Sequence, residues 1–107
     1  GMIRIVIERS STGQICGFTA SGYADCGPKG KDIVCAAVSV LTDSAFLGLD
    51  RHLRRELSWS ADSGDIAVHL KQEPDELTEA ILATMFLGLS EIQRIYPEKI
   101  RIREIRR

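Results

Sequence analysis

The chain has 107 residues, 44% of them apolar and 27% charged, with 14 Lys and Arg against 15 Asp and Glu. That length supports one domain with its own core and leaves little room for another, so 1–107 reads as a single domain. A formal net charge of −1 argues against a partner held mainly through phosphate backbone.

No uninterrupted apolar run approaches the ~20 residues that cross a bilayer, and no membrane partner is expected. A strand begins within three residues of the start, which predicts no signal peptide. Gly1 ahead of Met2 reads as a tag remnant. Cys16, Cys26 and Cys35 are odd in number and form no C-x-x-C pair, which fits a reducing cytoplasm. With only His52 and His69 beside them there is no zinc-ligand spacing, so neither metal nor cofactor is expected.

In chain order, Ile3, Ile5 and Ile7 alternate with Arg4 and Glu8, the pattern of a half-buried strand. Ser10-Ser11-Thr12-Gly13 is a turn, and Gln14 to Ser21 returns as the second arm of a hairpin. A glycine-bearing loop runs from Gly22 to Lys31. Asp32 then supplies a good N-cap for a helix from about Ile33 to Leu53. Its expected stripe is Ile33, Ala37, Leu41, Ala45, Leu49 and Leu53, widened by Val34 and Val38.

Leu57 to Ala61 and Asp65 to Leu70 flank Asp62-Ser63-Gly64 as a second hairpin. Pro74, Asp75, Glu76 and Glu79 open a second helix with favourable polarity. That helix carries Leu77, Ile81, Met85, Gly88 and Ile92 on one stripe and Leu82, Phe86 and Leu89 on another. The extra stripe predicts a subunit contact, with burial against the first helix as the alternative. Pro97 ends the helix, and Lys99 to Glu104 is a last strand with Ile100 and Ile102 inward. The order ββαββαβ predicts an α+β two-layer sandwich: a mixed or antiparallel five-stranded sheet with both helices on one face.

Chemistry concentrates where the first helix begins. Cys35 falls in its first turn, where unpaired N–H groups and the dipole favour a thiolate. Those same N–H groups are expected to stabilise an oxyanion. The alternative reading of Cys35 is a small buried residue packed behind Ala36 and Ala37. Tyr23 stands in the loop before it, within Ser21-Gly22-Tyr23-Ala24. Asp32 reads as the cap that builds the helix start. Ser39, one turn beyond Cys35 on the same face, either lines the cleft or bonds back to a carbonyl, the latter being preferred. Cys26 is an exposed loop residue or a partner for a reversible disulfide with Cys35. The loop Asp25 to Lys31 is expected to order around a peptide.

The stretch Ser21-Gly22-Tyr23-Ala24 followed by Gly30-Lys31-Asp32-Ile33-Val34-Cys35-Ala36-Ala37-Val38-Ser39 resembles the bacterial ribosomal-processing cysteine protease family called Prp. The family pattern is G-H-A, a loop, then G-x-D-I-V-C-A-A-V-S, and the second half agrees at every fixed position. Length, element order and Tyr96-Pro97 before the last strand agree as well. The resemblance implies a cytoplasmic, homodimeric cysteine endopeptidase. Its substrate would be a ribosomal protein precursor, from which it removes an N-terminal extension of a large-subunit protein during ribosome assembly. It also implies that Cys35 is the nucleophile and that Tyr23 holds the position of the family's histidine.

Tyrosine, with an ordinary pKa near 10, stays protonated at neutral pH. It donates a hydrogen bond but does not serve as an efficient base. His52, 17 residues beyond Cys35, would lie roughly 26 Å away along the helix, and His69 reads as a surface strand residue. The alternative function is therefore a non-catalytic paralogue that binds a peptide or ribosomal partner without cutting it. A third option is a redox sensor built on Cys26 and Cys35. Arg101, Arg103, Arg106 and Arg107 form a basic tail interleaved with Glu98 and Glu104. That tail reads as a solvated strand edge, with nucleic acid met only indirectly at the ribosome.

Overall fold

The structure is a computed structural model that describes residues 2–23, 32–62 and 65–107. It contains β1 (Ile3–Arg9), β2 (Ile15–Ser21), α1 (Ile33–Leu47), β3 (Leu57–Asp62), β4 (Asp65–Leu70), α2 (Glu76–Ile95) and β5 (Ile100–Arg106), in that order. A π-helical segment, Gly48–His52, continues α1. The five strands form one sheet in the order β3-β4-β2-β1-β5. Every neighbouring pair is antiparallel except β1 and β5, which run parallel. This is the expected two-layer α+β arrangement.

Alternation decides which side of the sheet meets the helices. Ile3, Ile5 and Ile7 of β1, Phe18 and Ala20 of β2, Val68 of β4 and Ile100 of β5 are all buried. They pack with Val34, Val38, Ala45, Leu49, Leu82, Met85 and Leu89 in one core. Each fully buried Ile, Leu or Phe contributes about 1.5–3 kcal/mol relative to an exposed one. A register shift between Glu8 and Arg9 pairs Glu8 with Gly17 but Arg9 with Ile15, leaving Cys16 as the extra residue. That bulge lets Ile15 and Phe18 both face the core despite a spacing of three.

The expected stripe on the first helix is corrected. Val34, Val38, Thr42, Ala45 and Leu49 face inward, whereas Ile33 is 69% exposed. At 3.6 residues per turn, a strict spacing of four drifts about 40° per step. The run from Ile33 to Leu53 therefore winds about 200° around the helix and cannot stay on one face. Spacings of four, four, three and four hold the observed set together.

The second helix corrects the subunit-contact reading of Leu82, Phe86 and Leu89. Leu82 and Leu89 are fully buried in the core, and Phe86 lies beneath Arg9, whose guanidinium carbon is 5.2 Å from the ring centroid. Ile81 and Gly88 form the contact with the first helical segment: a Cβ at Gly88 would lie 3.0 Å from Leu41 Cδ1, and one at Gly48 3.1 Å from Ile81 Cδ1. Leu77 is 58% exposed. The N-terminus of α2 carries a reciprocal cap: Asp75 accepts from the Leu77 and Thr78 N–H groups, and Thr78 Oγ1 accepts from Asp75 N–H.

By length and composition Ile33–His52 is long and apolar enough to cross a membrane, contrary to expectation. Its inward residues nonetheless lie in the common core, the position of a core helix.

Candidate functional site

The site is assembled at one end of the sheet, where β2 leaves and α1 begins. Asp32 has extended backbone, and its Oδ1 accepts the N–H groups of Val34 and Cys35 at 2.9 and 3.1 Å. Its carbonyl accepts from Ala36 N–H at 3.1 Å, and Lys99 Nζ stands 4.0 Å from the other carboxylate oxygen. Asp32 is thus the cap that the sequence calls for. The consequence for an oxyanion was missed: Asp32 already engages three N–H groups of the helix start. Of the N–H groups of residues 33 to 35, only that of Ile33 lacks a partner among the described residues, unless substrate displaces the carboxylate.

Cys35 is half-buried and packs against the edge of the core. Its sulfur is held in a disulfide, so a nucleophilic thiolate exists only after reduction. Cys26 and the loop Asp25 to Lys31, with the proposals made for them, lie outside the described residues.

Gly22 sets the direction of the chain into the site. Its φ is +97°, and a Cβ there would sit 2.4 Å from the Met2 carbonyl oxygen. Its N–H donates to Asp65 Oδ1 at 3.2 Å. Tyr23 follows and turns its ring toward the core. The phenol oxygen lies beside the Ser39 and Thr42 hydroxyls, yet it is buried without a well-formed hydrogen bond to either. Burial pushes the Tyr23 pKa above its ordinary value, against smaller opposing effects of Thr42 and Ser39. A phenol kept this firmly neutral is no general base.

The carbonyl back-bond expected of Ser39 is made instead by Thr42, whose Oγ1 donates to Val38 O at 3.1 Å and Ser39 O at 3.2 Å. Ser39 shares the Cys35 face of α1 and meets the Tyr23 ring end there.

Neither described histidine serves Cys35. His52 is exposed in the π-helical segment at the far end of the helix. His69 points to the helix-free side of the sheet, where Nε2 hydrogen-bonds Glu8. Glu8 is 2% exposed and also pairs with Arg107. Gly17 makes this possible, since a Cβ there would lie 2.5 Å from His69 Cδ2. Among the described residues no group of three or more His, Cys, Asp or Glu is arranged to hold a metal ion.

The raised Tyr23 pKa has a stability consequence. The folded state holds the phenol proton more tightly than the unfolded chain does. The resulting stability is complete below the unfolded pKa of about 10 and lost as pH rises through the higher folded value. Tyr23→Phe is expected to flatten that alkaline limb. It should leave neutral-pH stability equal or up to ~1 kcal/mol higher, because it removes an unsatisfied hydroxyl. Melting curves from pH 8 to 11 measure both effects.

Residues 2–101 match the family model described as cysteine protease Prp. The ribosomal processing cysteine protease Prp of Staphylococcus aureus is 29% identical over 104 residues, covering 94% of this chain and 97% of that protein. A crystal structure of the S. aureus protease with a covalently linked product peptide superposes with a TM-score of 0.87 at 25% identity, over 97% of this chain and all of that one. SMU.848 from Streptococcus mutans gives 0.86 at 25% identity, over 100% of this chain and 97% of that one. By this match over nearly its whole length, and by the fold that carries it, the chain belongs to the Prp cysteine protease family.

Proposed function

We propose that this protein is a Prp-type cysteine endopeptidase that removes an N-terminal extension from a large-subunit ribosomal protein. The carrying observation is the position of Cys35, the third residue of an Asp32-capped helix, in a family with a relative known to bear a covalently linked product peptide. Cys35 is assigned as nucleophile and Tyr23 as the residue at the position of the family's histidine, with Gly22, Asp32 and Ser39 as substrate-binding or structural support. In the reduced protein the thiolate attacks the scissile carbonyl, forming a C–S bond. The C–N bond then breaks, the departing amine takes a proton from water, and water hydrolyses the thioester.

The cytoplasm suits a nucleophile that needs reduction. A homodimer is supported by the outer face of the helical layer, where Ile33, Val40, Leu47, Leu77, Leu87 and Ile95 are exposed.

The test uses reduced protein and a peptide carrying a ribosomal protein's N-terminal extension. Iodoacetamide at pH 7 is expected to label Cys35 ahead of Cys16. Burial and the nearby Glu8 raise the Cys16 pKa, which keeps that thiol protonated. Alkylation of Cys35 should end cleavage, and omission of reductant should mimic it. Equal labelling of both thiols, or cleavage that survives alkylation, would overturn the assignment.

One observation favours a second reading: no described histidine approaches Cys35. On that reading the protein binds the peptide or another ribosomal partner without cutting it.

A further inference from the structure

In sequence, Glu98 and Glu104 interleave with the arginines of the C-terminal strand and mask them. In space they do not. β1 and β5 pair in parallel with Arg4 opposite Arg101, Val6 opposite Arg103 and Ile7 opposite Glu104. Strand alternation therefore sends Arg4, Arg101 and Arg103 to the helix-free side of the sheet. Glu104 goes to the other side, where Arg9 binds it at 2.8 Å. Arg107 is engaged by buried Glu8. Arg4, Arg101 and Arg103 are all exposed, and among the described residues none of them has an ion-pair partner.

The acidic groups on the same side are few. Glu8 is covered by His69 and Arg107. Asp65 of β4, which receives the Gly22 N–H, and exposed Asp62 of β3, paired opposite it, lie beyond β2 at the far edge from β5.

Edge strands are often lined with charge to prevent edge-to-edge pairing. That purpose does not explain Arg4, which lies on an inner strand directly beside Arg101. Like charges in register destabilise a sheet, so the pair acts against the fold until an anion joins it. The guanidinium fork suits phosphate oxygens in bidentate geometry. Thr19 and Ser21 of β2 and Ser58 and Ser60 of β3 share the side and offer hydroxyl donors, the other common contact to phosphate and sugar. Of the aromatic rings of β1, β2, β4 and β5 only the His69 imidazole lies on this side, and Glu8 engages it, which favours backbone contact over base stacking.

We propose that Arg4, Arg101 and Arg103 form a docking surface for the phosphate backbone of RNA on the helix-free side of the sheet. The choice of RNA among polyanions rests on the ribosomal-processing reading above; the surface itself does not. It would hold the protease near its substrate while leaving the start of α1, on the other layer, open.

The experiment is fluorescence anisotropy of the full chain against a fluorescein-labelled RNA hairpin between 50 and 200 mM salt. Three phosphate contacts predict a slope of log K against log salt between about −2.1 and −2.7, a loss of about 20- to 40-fold over that range. Arg4→Gln, Arg101→Gln and Arg103→Gln are each expected to lower the slope by about 1, and the triple variant should lose most binding. Should the triple variant fail to fold, the single variants carry the same test. No binding at 50 mM salt, or an unchanged slope in the variants, overturns the proposal. Equal competition by polyglutamate also overturns it and assigns the surface to acidic peptide. Cleavage of a free short peptide, measured in parallel, should be unchanged in every variant. Its absence in the parent chain counts against the protease reading alone.

Discussion

Tyr23→His is expected to raise kcat/KM for peptide cleavage by on the order of 10²–10⁴, the usual contribution of a positioned general acid–base. The position already follows Gly22 into the core edge beside α1, on the face that carries Cys35 and Ser39. What it lacks is a group that changes protonation near neutral pH. An imidazole there would take the Cys35 proton and return it to the leaving amine. In the parent chain the thiol gives its proton to solvent and the leaving amine takes one from water. The pH–rate profile carries a signature that a purely structural effect would not produce. The parent should show one ascending limb, set by the thiol, and the variant a bell with a limb for each partner. The smaller ring also gives up packing, so melting temperature must be followed to show the variant folded. A folded, reduced variant with no gain in turnover would mean that the second reading, peptide binding without cleavage, is the better one.

How much of this site was legible depends on the range over which each feature is decided. The start of α1 is local: Asp32 caps the helix and Cys35 falls three residues later, both fixed by short-range geometry. The strands were legible for the same reason, since Ile3, Ile5 and Ile7 or Ile100 and Ile102 report a face by alternation alone. The fate of the Tyr23 hydroxyl was not legible. It depends on Ser39 and Thr42 on a different element, and no pattern around Tyr23 announces them. Glu8 is a sharper case. Alternation placed it correctly on the outward side, and outward normally means wet. Instead its two covering partners come from residues 61 and 99 positions away. Only Gly17 hints at this, as a residue that leaves room in mid-strand for a neighbour's ring.

Charge shows the same limit in reverse. Arg101, Arg103 and Glu104 look mutually neutralising along the chain, and pleating separates them. The helix stripes failed for a related reason. Counting every fourth residue ignores the angle that accumulates along a helix, and α1 turned Ile33 and Ala37 outward as a result.

Gly22→Ala should be among the most damaging single changes to stability, because two costs coincide. A residue with a Cβ at φ +97° is strained by roughly 1–3 kcal/mol. The added carbon would also meet the Met2 carbonyl oxygen at 2.4 Å and Ile3 Cα at 3.2 Å, both backbone atoms that cannot rotate away. Relief requires moving the start of β1 off β2, where Arg4 pairs with Ser21, or releasing the Gly22 N–H from Asp65. A combined loss of ~3 kcal/mol would lower the melting temperature by roughly 12–24 °C for a domain of this size. Gly13→Ala separates the two costs. Its φ of +89° carries similar strain, but the nearest heavy atom to a new Cβ is Arg106 Nη1 at 4.0 Å. That variant should lose only about 1 kcal/mol, or 4–8 °C. Equal losses in the two variants would show that the close approach to Met2 costs nothing. In that case the position of Tyr23 beside α1 would not depend on Gly22.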